Sequence, residues 1–347
     1  MPMNTDRNNR RKMVIVLIAI AMLMIHAANP KRITGRSTPT PVIFETDMGN
    51  DVDDALALDM LYKYQDSGLI KLIAISTNKN SKYSAPYIDI LNTWYGYPDI
   101  PVGVVKNGAN SQGDSHDYAQ TVCEYTPAFK RSKDTFPESV ALYRKVLANQ
   151  PDHSVIIIST GFSTNLARLL QSKGDSYSPL DGRALVAKKV KLLSMMAGNF
   201  EGNKVIEYNV LRDVPAAKEV FEQFPTKVVT SPFELGNTIL YPASSIENDF
   251  KWTTAHPVVI AYKSYLPMPY DRPTWDLTAV LYAIEGEKPY FTISNPGSIQ
   301  VDEKGNTSYT QSPSGNRQYL EVTPQQAAFI KTHFINIITA KPKQLQE

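Results

Sequence analysis

Cysteine is almost absent from this chain. Cys123 is the only one in 347 residues, so an intramolecular disulfide is impossible, and no cysteine stands near the N-terminus to carry a lipid. Neither sign of charge dominates: 36 basic against 34 acidic side chains leave a net charge of +2. That balance gives no global electrostatic case for nucleic acid or a membrane surface as a partner. Internal repeats and low-complexity tracts are missing too. The apolar stretch Met13 to Ala28 falls short of the roughly 20 residues that a spanning helix prefers. What remains is an ordinary globular composition, 42% hydrophobic and 20% charged, enough for one large α/β core or two smaller domains.

The N-terminus has the form of an export signal. A basic run at 7–12 precedes the apolar stretch, and His26-Ala27-Ala28 is a serviceable cleavage site. Residues 1–28 therefore read as a signal peptide and 29–40 as a polar linker. Residues 41–340 read as a single domain of an exported protein, periplasmic or secreted, that meets a membrane only through the uncleaved leader. An uncleaved anchor is the alternative.

Beyond the leader, apolar runs alternate with amphipathic ones, the sequence form of an α/β fold with a Rossmann-like, open, mostly parallel sheet flanked by helices. Strands are predicted at 42–47, 70–77, 101–105, 154–160, 189–196 and 227–230. Helices are predicted at 53–66, 84–95, 137–149, 163–172, 214–224, 256–265 and 275–284. Val155 to Ile158 is apolar on both faces, as a sheet covered on both sides requires. Residues 107–135 read as a long polar loop over a site, 288–322 as short strands and turns, and 324–340 as a closing helix.

The end of the first strand carries the strongest chemical signal. Asp47, Asp51, Asp53 and Asp54 fall within eight residues, preceded by Glu45, with no Lys or Arg among them. So many carboxylates at one strand end must share protons unless a cation neutralises them. Capping of the next helix explains one acid but not four. With no His or Cys in the stretch, the ion is a hard one such as Ca2+ or Mg2+. Other strand ends also finish in oxygen-bearing residues: Asn78 and Asn80, Gly161 to Asn165, and Asn199 leading on to Glu207 and Asn209. In an open α/β sheet such ends converge on the ligand.

Assembled in order, these segments resemble the inosine-uridine nucleoside hydrolase family, calcium-dependent enzymes that cut the N-glycosidic bond between ribose and base. The carriers are Glu-Thr-Asp-Met-Gly-Asn-Asp-Val-Asp-Asp-Ala-Leu-Ala-Leu at 45–58, Gly-Phe-Ser-Thr-Asn-Leu-Ala at 161–167 and Met-Ala-Gly-Asn-Phe at 196–200. Glu-Tyr-Asn-Val at 207–210 and Trp-Asp-Leu-Thr-Ala-Val at 275–280 complete the set. The resemblance implies Ca2+ held by Asp47, Asp54, the Thr164 carbonyl and Asp276, with Asp47 as general base. It implies ribose contacts from Asp53 and Asn80, and a 5′ grip from Asn199 or Asn203 with Glu207 and Asn209. It also implies a nucleoside substrate, a role in salvage, and a homodimer or homotetramer.

Three departures stand out. Glu45 replaces the family's first aspartate, Asp51 is an additional carboxylate, and Trp275 stands where several members carry a leaving-group histidine. A tryptophan stacks on a base but cannot protonate it, which makes His116 the candidate acid, with Tyr118 and Asp271 as substitutes. A non-catalytic, calcium-containing nucleoside- or sugar-binding protein is the competing expectation. A Mg2+ phosphotransferase fits less well, since Gly49 stands where its second aspartate belongs.

Overall fold

A computed structural model describes residues 38–109, 117–124, 129–202 and 205–346. The leader, His116 and Asn203 lie outside the described residues. Pro39–Glu347 forms one compact unit. In chain order it runs β1 (Thr40–Thr46), α1 (Asp53–Asp66), β2 (Ile70–Thr77), α2 (Ser84–Trp94), β3 (Val102–Val104), α3 (Tyr118–Glu124), α4 (Ser139–Ala148), β4 (Val155–Thr160), α5 (Thr164–Gln171), α6 (Gly182–Lys189) and β5 (Val190–Met196). It continues through α7 (Tyr208–Arg212), α8 (Val214–Gln223), β6 (Lys227–Ser231), α9 (Phe233–Asn237), β7 (Leu240–Tyr241), α10 (Ala243–Asn248), α11 (Pro257–Tyr265), β8 (Arg272–Pro273) and α12 (Trp275–Glu285). The C-terminal part holds β9 (Thr292–Ile293), β10 (Gly297–Val301), β11 (Thr307–Gln311), β12 (Arg317–Glu321) and α13 (Pro324–Ile338).

The main sheet has the order β11-β10-β12-β6-β5-β4-β1-β2-β3, with β9 paired to β12. Seven strands from β12 to β3 run parallel, and β9, β10 and β11 are antiparallel additions. This is the mostly parallel, helix-flanked sheet that the alternating pattern predicts. β1 and β4 are buried along nearly their whole length, as their continuous apolar runs require. Large apolar cores lie on both sheet faces, one around Phe44, Leu56 and Leu281, the other around Ile43, Leu169 and Val220.

Chain order reverses between β1 and β4, since β1 leads to β2 and β3 on one side while β4, β5 and β6 follow on the other. Such a switch point opens a crevice beyond the strand ends. Thr46 and Thr160 are register partners there. One expectation changes: the stretch 107–135 is not all loop, because Tyr118–Glu124 forms α3, whose Tyr118 and Ala119 are buried. About two turns of helix in a polar stretch are too short to show a sustained 3.6-residue period. Among the described residues no helix is long and apolar enough to cross a membrane.

Candidate active site

β1 delivers Asp47 to the crevice, and a tight turn then starts α1 with Asp53 and Asp54 in its first turn. From the far end of the chain, α12 begins with Trp275 and Asp276. Carboxylate oxygens of Asp53, Asp54 and Asp276 lie within 4.8 Å of one another, and all three residues are buried. They are not consumed by capping, because the N-cap of α1 is Val52, which has no side-chain bond. Asp53 instead accepts the Asp276 N–H at 3.0 Å across 223 residues of sequence. Asp54 Oδ1 accepts from the Thr46 hydroxyl and, at 3.1 Å, from Thr160 Oγ1, while Asp54 Oδ2 is buried with no protein partner.

Burial, reinforced by neighbouring carboxylates, holds Asp53, Asp54 and Asp276 well above the ordinary carboxylate range. Burial also pushes Asp47 up to about 7, while the buried Lys79 ammonium at the end of β2 pulls it back down. An all-oxygen set with an orphaned carboxylate oxygen matches what a hard divalent cation binds. Gly161, after β4, permits the close approach: a Cβ there would lie 2.4 Å from Asn78 Oδ1 and 2.6 Å from the Asp47 nitrogen.

A cavity of about 200 Å3 opens above the acids. Its walls include Asn50, Asp51, Glu207, Asn209, Phe233 and Trp275. Glu207 caps α7, accepting the N–H groups of Asn209 at 2.7 Å, Val210 at 3.1 Å and Gly198 at 3.2 Å. Burial lifts its carboxyl to about 7 against the pull of those bonds. Asn209 donates to the Met196 carbonyl at 3.2 Å. Trp275 stacks on Phe233 with centroids 5.7 Å apart, and its indole N–H is committed to the Phe233 carbonyl at 3.0 Å.

The structure thus brings together Asp47, Asp53, Asp54, Glu207, Asn209, Trp275 and Asp276 from the residues that sequence singles out. Others do not line the cavity. Thr164 is buried at the start of α5 with its hydroxyl on Asp213, and it is not among the cavity-lining residues. Asn80 is exposed and its N–H is bonded to Ala109, whereas neighbouring Asn78 is buried. Asn199 turns its amide onto its own loop, donating to the Val205 carbonyl at 2.9 Å, and does not line the cavity. Tyr118 is fully buried, accepting from Gly49 N–H and donating to the Asp51 carbonyl, both at 2.8 Å, so it is a brace for the acidic turn and not an exposed acid. Asp271 accepts the Ala243 N–H and lies off the cavity wall.

Sequence reasoning misses several residues. Arg272 clamps Asp51, with Nε donating to Oδ1 at 2.8 Å and Nη2 donating to Oδ2, and its guanidinium lies 5.2 Å from the Trp275 ring. The additional carboxylate is therefore an ion-pair partner. Thr46 and Thr160, the last residues of β1 and β4, and Lys79, Tyr208 and Phe233 likewise reach the site only through tertiary structure.

The sequence matches the model of the inosine-uridine preferring nucleoside hydrolase family over residues 42–332. A search of curated proteins returns no match. Among solved structures, a purine-preferring ribonucleoside hydrolase from Gardnerella vaginalis is similar at TM-score 0.68 and 17% identity, over 86% of this chain and 98% of its own. An inosine-uridine preferring nucleoside hydrolase from Bacillus anthracis gives 0.65 and 16%, over 86% and 99%. A type III effector protein, XopQ, solved with adenosine diphosphate ribose gives 0.63 and 15%, over 88% and 95%. At these identities the structural likeness carries the fold.

Proposed function

Since the chain belongs to the inosine-uridine preferring nucleoside hydrolase family, we propose that it is a calcium-dependent nucleoside N-ribohydrolase, releasing free base and ribose for salvage outside the cytoplasm. The observation that carries this reading is the meeting of Asp53, Asp54 and Asp276 beside Asp47 at the floor of the cavity.

Asp47, Asp54, Asp276 and the Thr164 carbonyl would hold a divalent ion, which would supply Lewis acidity beside the sugar. The chain's own residues do the rest. Asp47 accepts a proton from the attacking water as its oxygen bonds to the anomeric carbon. Asp53 holds a ribose hydroxyl, and Glu207 with Asn209 grips the 5′ end. These contacts favour the flattened, cationic sugar of the transition state as the C–N bond breaks. The departing base takes up a proton, which we assign to His116.

A second reading, a calcium-containing binding protein without turnover, gains support from Trp275, whose indole N–H is committed to Phe233. The deciding experiment measures release of free base from inosine, guanosine, uridine and cytidine, with and without a calcium chelator. Chelator-sensitive release supports the hydrolase. Saturable nucleoside binding without release supports the alternative. The leader at 1–28 and a homodimeric or homotetrameric state are further parts of this proposal, testable by N-terminal sequencing of the exported protein and by light scattering.

A further inference from the structure

The loop that carries the proposed 5′ grip is held from outside by strands at the far edge of the sheet. Asn199 leaves β5 and is gripped on both backbone atoms by one hydroxyl: its N–H donates to Thr307 Oγ1 at 2.9 Å, and Thr307 Oγ1 donates to its carbonyl at 2.9 Å. Thr307 opens β11. The turn before it is organised by Asp302, which accepts the N–H groups of Lys304 at 2.8 Å and Asn306 at 2.9 Å. Gly305 in that turn (φ 91°) lies against the grip segment, where a Cβ would sit 3.1 Å from Ile206 and 3.2 Å from Val214. Inside this clamp Glu207 ties Gly198, Asn209 and Val210 together.

Building on the nucleoside hydrolase reading, we propose that Thr307 is a positioning residue for the 5′-hydroxyl contact: the β10–β11 hairpin fixes Asn199, and through it the placement of Glu207 and Asn209. Contacts made only through a correctly placed loop are lost on substrates that offer nothing for it to hold. Thr307→Val keeps the shape and removes both bonds, which is worth about a tenfold loss in kcat/KM.

The experiment compares a nucleoside with its 5′-deoxy analogue, using the calcium-loaded full chain. Thr307→Val is expected to lower kcat/KM for inosine about tenfold, mainly through KM, to leave 5′-deoxyinosine unchanged, and to be rescued by Thr307→Ser. Gly305→Ala, which strains the turn and pushes it off Ile206, is expected to show the same selectivity. Equal losses on both substrates, or none on either, would overturn the proposal and make Thr307 a stability residue. A wild-type enzyme that treats inosine and 5′-deoxyinosine alike would refute the grip itself and the proposal with it. Wild-type protein that releases base from neither refutes the hydrolase reading first.

Discussion

Chelation of the divalent ion is expected to destabilise the protein and to give its stability a new pH dependence. Carboxylate oxygens of Asp53, Asp54 and Asp276 within 4.8 Å of one another repel by about 3 kcal/mol per pair at an effective dielectric near 20. Three such pairs amount to roughly 10 kcal/mol, comparable with the whole stability of a domain. The stripped site therefore takes up protons, consistent with carboxyls lying above their ordinary range and Asp47 at about 7. Their folded pKa values are raised, so the native state binds more protons than the unfolded one. Stability is then full below about pH 4 and falls as pH rises towards 7, by about 1.4 kcal/mol per unit for each retained proton. Two such protons between pH 5 and 7 are worth about 5 kcal/mol. With an unfolding entropy of roughly 0.6 kcal/mol/K for a domain of about 300 residues, Tm drops by roughly 8 °C. On the calcium reading proposed above, the loaded protein would keep its carboxylates ionised throughout and lack this slope. Differential scanning fluorimetry with chelator or calcium across that range, with metal content measured on the same samples, checks the account. A chelated protein whose Tm is flat from pH 5 to 7, or unmoved by added calcium, refutes it.

Three other perturbations follow. Asp47→Asn is expected to lower turnover by roughly two to four orders of magnitude with little change in KM; a calcium-loaded variant with normal turnover would show that another group takes the proton. Asp51→Asn is expected to retain full metal content, because Arg272 already holds that carboxylate, whereas Arg272→Met leaves it unpaired and costs about 1–3 kcal/mol in urea unfolding. Loss of metal from Asp51→Asn would instead make it a ligand. His116→Ala is expected to slow natural nucleosides by roughly two to four orders of magnitude while sparing a p-nitrophenyl riboside, whose leaving group needs no proton; equal losses on both would reject the acid role.

The sheet and its main helices were legible because their signals are long. Predicted 53–66 and 70–77 coincide with α1 and β2, and 163–172 and 275–284 lie within a residue of α5 and α12 at each end. The acid cluster was legible for the same reason, since crowded carboxylates are conspicuous in any fold. Illegible were α3, α7, α9 and α10, of five to seven residues each, too short for a period to emerge. Also illegible was anything decided by side-chain direction. Asn199 and Asn78 both follow a strand, yet one amide closes its own loop and the other is buried beside Gly161. Arg272 and Asp51 are 221 residues apart, and no local pattern links them. Trp275 lines the cavity, but the commitment of its indole N–H to Phe233 depends on the approach of α9, which only the folded chain reveals.

The bond between the Asp276 N–H and Asp53, spanning 223 residues, also bears on the order of events in biosynthesis. During synthesis the acidic turn emerges long before α12 exists, and for that interval the acids lack the last member of their set. The cation therefore cannot template the early steps of folding, because the site is complete only after the chain has closed a loop covering most of the domain. On the proposed calcium reading, loading would follow folding. A chain truncated before residue 276 should then gain no resistance to proteolysis from added calcium, whereas the full chain should.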